Sequence, residues 1–373
     1  MPNIFLKHVI DGNIIVNEND FAQMKANHSE QFIIQEISDV IDLCDIKLPY
    51  REITKAEADN DYFNLKNTSI YDSVGFGKWG SKFDYKYDFV DQYINISNVG
   101  NKASDYFHQT QRWKCDATGY PSPEKTWRTE QFRLTLFKAL FSLKVKEINP
   151  NVLRNLISLR KYIAAQFRPN VAKFIYDSYK PETVLDFSMG WGDRILAAHT
   201  AESVKKYVGI DPNVNLFDGY KKQIESYNLL AKPKNFELLC GCAEDDNIVL
   251  KDEFDMIFTS PPYYDKEKYD QSSNQSYIKY KAFINWMENF LFKTIELRSK
   301  NLKSGGYLII NISDIYTRKK HYQICDGMND YITSLGMYDY CGCMGFRMPK
   351  RPMSKSNDTV GIYGEPIWIW KKK

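Results

Sequence analysis

The chain is 373 residues long, 43% hydrophobic and 26% charged, the make-up of a globular protein with a full core, which excludes a disordered or fibrous one. Its net charge of +3 announces no nucleic-acid partner, and no apolar stretch is long enough to span a bilayer. The apolar start, M-P-N-I-F-L-K-H, is too short for a signal peptide, and seven cysteines fit reduced thiols, so a cytoplasmic location is expected.

Residues 1 to about 70 alternate short apolar runs such as Phe32-Ile33-Ile34 with polar residues, and their function is not legible. From Gly75 the text becomes G-F-G-K-W-G-S-K-F-D-Y-K-Y, a formal G-x-G-x-x-G over Gly75, Gly77 and Gly80. A phosphate-cradling loop needs a strand before it and a helix after it, and here an aromatic, alternating segment follows. Two readings stand: a glycine-bent hairpin, which is favoured, or a basic and aromatic surface (Lys78, Trp79, Lys82, Tyr85, Lys86) that meets a nucleic acid. Ser122-Pro123 and Asn149-Pro150 both place a capping residue before a proline, which predicts helix starts. Leu134, Phe137, Leu140 and Phe141 line one face of the first helix, and Val152, Leu156, Leu159 and Ile163 recur at helical spacing in the second. Lysine and arginine outnumber acids from Lys102 to Lys180, which fits a phosphate-facing surface or a solvated helix face equally well.

After the helical stretch N-V-A-K-F-I-Y-D-S-Y, strands and helices alternate. The order is V-L-D-F, a helix from Asp193, Y-V-G-I-D, a helix from Asn215 to Leu230, F-E-L-L-C, F-D-M-I-F, a helix from Tyr280 to Lys300, and Y-L-I-I-N-I. Alternation of this kind predicts an α/β fold, doubly wound about a mostly parallel sheet with helices on both faces. Two last strand-like segments, Met337 to Phe346 and Pro366 to Trp370, are expected to pair antiparallel at an edge. The C-G-C pairs Cys240/Cys242 and Cys341/Cys343 are tighter than structural-zinc spacing, and the five histidines show no metal spacing, so no metal is expected.

Chemistry concentrates at four successive strand ends. V184-L-D-F-S-M-G-W-G passes from strand to helix around Gly190 and Gly192, where the backbone can approach a ligand and helix N–H groups are free. The next strand ends in Asp211, placed for a ribose diol, and the third in G-C-A-E-D, presenting Glu244 and Asp245. The fourth ends in T259-S-P-P-Y-Y. Proline gives no N–H to a ladder and stops the strand, and a rigid corner there is where open α/β sheets place ligand chemistry.

V-L-D-F-S-M-G-W-G resembles the first motif of class I S-adenosylmethionine-dependent methyltransferases, and T-S-P-P-Y-Y resembles the fourth motif of the DNA amino-methyltransferases that modify cytosine N4 or adenine N6. F-R-P-N-V-A-K and G-E-P-I-W-I-W-K-K resemble the flanking motif and the closing strand, so the likeness covers roughly residues 165 to 373. It implies a Rossmann-like, seven-stranded domain at 151–373 preceded by an accessory region at 1–150 that serves target recognition. It implies that Asp186, Phe187, Gly190 and Gly192 line S-adenosylmethionine, that Asp211 binds its ribose, and that Ala243 and Glu244 flank its adenine. Ser260, Pro261, Pro262 and Tyr263 then hold the target base. The serine favours cytosine N4, with adenine N6 or an RNA substrate as alternatives, and a catalytically idle nucleic-acid scaffold is the reading from another class. Only about seventy residues separate the two motifs, so no recognition insert sits between them. DNA contacts are expected from Lys78 and Lys82 and from Arg347, Lys350 and Arg351, as charged walls of a groove. The bulky Ser188-Met189 and Trp191 depart from the smaller residues usual in the first motif, which puts the shape of that turn in question.

Overall fold

The computed structural model describes residues 2–160, 163–317, 319–348 and 362–373. The chain divides into two compact units, Met1–Glu52 with Gln109–Ala165, and Ile53–His108 with Gln166–Lys373. This division differs from one placed at residue 150, because residues 53–108 join the sheet-bearing unit.

The first unit is mainly helical, with Glu18–Asn27, Glu30–Leu43, Pro123–Arg128, Glu130–Ser142 and Pro150–Arg160. Side chains of Asn17, Ser29 and Ser122 accept N–H groups of the first turns, and Asn149 Oδ1 accepts the Val152 N–H at 2.9 Å. Ile33, Ile37, Val40, Trp127, Phe137, Leu140, Leu153 and Ile157 form its core. Arg133 is buried there, donating to the Trp127 carbonyl at 2.7 Å and Ser38 Oγ at 3.1 Å while pairing with Asp42. That arginine is therefore no part of a phosphate-facing surface.

The second unit is built on one nine-stranded sheet rather than seven. Its strands are β1 (Val74–Phe76), β2 (Phe89–Ile94), β3 (Thr183–Asp186), β4 (Lys206–Asp211), β5 (Asn235–Cys240), β6 (Phe254–Thr259), β7 (Leu302–Asn311), β8 (Tyr338–Arg347) and β9 (Gly364–Lys372). Their spatial order is β1-β2-β8-β9-β7-β6-β3-β4-β5. The run from β7 to β5 is parallel, and the helices Asp193–Thr200 and Phe217–Leu230 and the continuous helical stretch from Phe283 to Ser299 supply its crossovers. β9 pairs antiparallel with β7 on one side and β8 on the other. The β8/β9 pair is not at an edge, because β2 adds to β8 in parallel and β1 closes against β2. Val184, Leu185, Ile257, Ile309 and Trp368 are buried, as strands covered on both faces require. Among the described residues no helix is long and apolar enough to cross a membrane.

Candidate active site

Parallel strands present their carboxyl ends at one edge of the sheet, so the ends of β3, β4, β5 and β6 come together although about seventy residues separate the first from the last. Gly190 and Gly192 both adopt left-handed φ, +63° and +76°. A Cβ on Gly192 would lie 2.3 Å from Gln223 Oε1 and 2.6 Å from His108 Nε2, so this glycine is dictated by packing as well as by φ. Gly190 is open: a Cβ there would meet nothing nearer than the Ser188 carbonyl at 3.9 Å. Tyr220 donates to the Gly190 carbonyl and Gln223 to that of Gly192, at 2.9 Å in the second case. Met189 and Trp191 are buried, and Met189 occupies the space that a Cβ on Gly209 of β4 would need. The turn therefore accommodates its bulk by a glycine on the neighbouring strand.

Two residues expected against the cofactor turn inward. The Asp186 carboxylate accepts from Arg194 Nε at 2.7 Å, the Tyr207 hydroxyl at 2.7 Å, Thr259 Oγ1 at 2.9 Å and the Ser188 N–H at 3.1 Å. With both oxygens occupied, it ties β3 to β4 and β6. Phe187 packs into the core with Leu185, Ile210 and Ile257. Asp211 is nearly buried, and its carboxylate receives one backbone N–H on each oxygen, from Asn213 at 2.9 Å and Gly190 at 3.1 Å. Burial pushes its pKa up to about 7, more than those two bonds pull it down. Glu244 is buried and accepts from Lys279 Nζ at 3.0 Å and the Tyr280 hydroxyl at 3.2 Å. Burial opposes the Lys279 charge, but its bonds to Asp245 and Glu244 prevail and hold its pKa above the usual lysine value. The Ala243 carbonyl takes Arg298 Nε at 2.8 Å.

At the end of β6, Pro261 is buried while Ser260, Pro262 and Tyr263 are half-buried. Ser260 Oγ lies 3.4 Å and the Tyr263 hydroxyl 3.5 Å from Asn311 Oδ1. Asn311 Nδ2 donates to the Pro366 carbonyl at 2.9 Å, which fixes the amide with its oxygen toward the corner. The Ser260 hydrogen is thereby drawn to Asn311, leaving serine lone pairs for a donor. Tyr263 gives its one hydroxyl hydrogen to Glu365, and burial followed by that carboxylate raises its phenol pKa well above normal. Lys266 Nζ sits 5.0 Å from the Tyr263 ring centroid.

Asn311 and Glu365 escaped the sequence reading. β9 runs antiparallel, so its beginning rather than its end reaches the site, and the acid in G-E-P-I-W was the available signal. Lys78 and Lys82 are exposed, and their loop is laced to the start of β9 by Gly80 N–H to the Ile362 carbonyl and Gly364 N–H to the Gly80 carbonyl, both 2.9 Å. The pairing of β1 with β2 joins the segment's two ends as an antiparallel pair around a long loop. Trp79 is not a base-stacking ring: it is buried, stacked on Phe89 at 4.2 Å and cradled by Gly345 and Gly364. Arg347 is exposed and donates to Asn95 Oδ1 at 2.8 Å, while Lys350 and Arg351 lie outside the described residues.

Residues 254–373 match the N6/N4 methyltransferase family model, described as DNA methylase. No curated protein matches the sequence. Solved structures that match the chain include an rRNA methylase from Streptococcus thermophilus, 15% identical, covering 56% of this chain and 99% of that one with a TM-score of 0.33. A methyltransferase from Pyrococcus furiosus is 18% identical, with 55% and 83% covered and a TM-score of 0.37. The N-methyltransferase NodS from Bradyrhizobium japonicum WM9, in complex with S-adenosyl-L-homocysteine, is 10% identical, with 52% and 78% covered and a TM-score of 0.34.

Proposed function

We propose that this chain, whose residues 254–373 match the DNA methylase family model, transfers a methyl group from S-adenosylmethionine to the exocyclic amine of a DNA base, cytosine N4. The observation that carries this reading is the corner at the end of β6, where a locked Asn311 amide turns Ser260 into an acceptor beside an aromatic ring. An exocyclic amine is a weak nucleophile because its lone pair is delocalised into the ring. Ser260 Oγ and the Pro261 carbonyl hold its hydrogens and favour a pyramidal nitrogen, and the prolines keep competing N–H groups away. Tyr263 offers a face to a base that is flipped out or single-stranded, once Lys266 yields it.

The residues present fit the cofactor. Gly190 leaves its side of the turn open, and the Asp211 carboxylate keeps a lone pair on each oxygen, matched to a vicinal diol. That diol would supply donors to a carboxylate that burial has left short of them. Gly190 and Asp211 would hold the group, with Glu244 and the Ala243 backbone flanking its adenine. S-adenosylmethionine supplies a methyl group activated on a sulfonium sulfur. No covalent nucleophile is required, and alignment of donor and acceptor provides much of the rate.

Serine in the first position of the corner favours cytosine over adenine. Lys78, Lys82 and Arg347 supply positive charge toward phosphates. The test is to incubate the chain with S-adenosylmethionine and unmethylated DNA, with RNA alongside, digest to nucleosides and analyse by mass spectrometry. N4-methylcytosine that disappears in Ser260→Ala is expected. N6-methyladenine would overturn the base assignment, methylation confined to RNA would overturn the DNA assignment, and no product with either polymer would refute the transfer.

A further inference from the structure

We propose that Glu365 is the proton acceptor of this reaction. The inference rests on the methyl-transfer reading above and adds a residue to it. Methylation leaves the amine nitrogen with one proton too many, and a corner closed by Pro261, Tyr263 and Asn311 needs a group to receive it. Neither Ser260 nor Asn311 is basic enough. Among the described residues hydrogen-bonded to Ser260 or Tyr263, Glu365 is the one carboxylate. Its Oε1 accepts from the Tyr263 hydroxyl, and no hydrogen bond among the described residues reaches its Oε2. Burial of Gly364 and Pro366 on either side, with Gly364 opposite Arg347 and Pro366 opposite Gly345, fixes where the side chain leaves the strand.

The step balances. The amine lone pair forms the N–C bond as the C–S bond breaks, its electron pair passing to sulfur, so a sulfonium becomes a neutral thioether. The nitrogen then releases one proton to Glu365 Oε2. A neutral secondary amine and a carboxylic acid remain, and the acid returns its proton to solvent when the product leaves. Among the described residues, the titratable or charged groups linked to Glu365 or its partner Tyr263 include Lys266 from the corner, Arg347 from β8, which is bonded to Asn95, and Cys325, which is electrostatically linked to the Tyr263 phenol.

Single-turnover transfer to unmethylated DNA is measured at pH 8 and saturating S-adenosylmethionine for the parent chain, Glu365→Gln, Glu365→Asp and Tyr263→Phe. Binding of a fluorescein-labelled, cytosine-containing single strand is measured for each without methyl donor. Glu365→Gln is expected to slow transfer by about 100-fold. Its strand affinity stays within about threefold of the parent, Glu365→Asp recovers at least about tenfold of the rate, and Tyr263→Phe loses far less rate than Glu365→Gln. If Glu365→Gln keeps the parent's rate, or loses strand affinity by the same factor as rate, Glu365 is no proton acceptor and the proposal fails. A slowing shared equally by Tyr263→Phe likewise overturns it. A parent chain that methylates neither DNA nor RNA defeats the functional reading itself, an outcome distinct from a methylating parent matched by Glu365→Gln.

Discussion

Asp211→Asn separates the cost of the cofactor turn from its use. In the folded chain the Asp211 carboxyl titrates near 7, whereas an unfolded aspartate titrates near 3.9. The folded state therefore keeps a proton that the unfolded state has lost between those values. The stability associated with it is fully present below about pH 4 and declines as pH rises through about 7. The decline is about 1.4 kcal/mol per pH unit and totals about 4 kcal/mol by pH 8. Asparagine has one acceptor oxygen where the carboxylate has two, so one of the Gly190 and Asn213 N–H groups loses its partner, at about 1 to 2 kcal/mol. The variant should thus be less stable than the parent by about 1 to 2 kcal/mol at pH 4 and more stable by about 2 to 3 kcal/mol at pH 8. Urea unfolding at half-unit pH intervals reads the crossing directly. Isothermal titration at pH 8 should show S-adenosylmethionine bound roughly 10- to 150-fold more weakly by the variant, because the proposed ribose acceptor has lost its charge. In the parent, affinity should rise with pH up to about 7 as the carboxylate forms. A stability difference that stays constant from pH 4 to 8 would refute the reasoning, since Asp211 would then be ionised throughout.

Gly192→Ala should cost about 2 to 4 kcal/mol in urea unfolding, because the new Cβ meets Gln223 and His108 at a left-handed φ, whereas Gly190→Ala, with only φ against it, should cost about 1 to 2 kcal/mol. Equal costs would remove the packing argument. Trp79→Ala should lose about 3 to 5 kcal/mol of stability as a core truncation, where an exposed stacking ring would lose little. Lys266→Ala should raise kcat/KM on single-stranded DNA about two- to fivefold by freeing the Tyr263 face, and a fall would show that Lys266 grips the strand instead.

Much of the second unit could be read before any coordinates, because its information is local. Alternating apolar runs separated by helical periods specify a parallel sheet, and V-L-D-F-S-M-G-W-G and T-S-P-P-Y-Y each carry their turn chemistry within a few residues. Parallel strands then bring the ends that carry Gly190, Asp211 and Ser260 to one edge of the sheet as a matter of topology. Other features depend on contacts between distant segments. Phe89–Ile94 and Val74–Phe76 join the sheet through β8, a pairing that aromatic alternation cannot announce, and Trp79 is core because Gly345 and Gly364 clear space for it. Asp186 has a sequence position suited to a ligand, yet Arg194, Tyr207 and Thr259 take up its oxygens. Glu365 stands 102 residues beyond Tyr263 and reaches its hydroxyl because β9 reverses direction. Strand order and direction are set by which apolar faces bury one another across the whole sheet, so a carboxylate delivered to the site by an antiparallel strand becomes visible only in the tertiary structure.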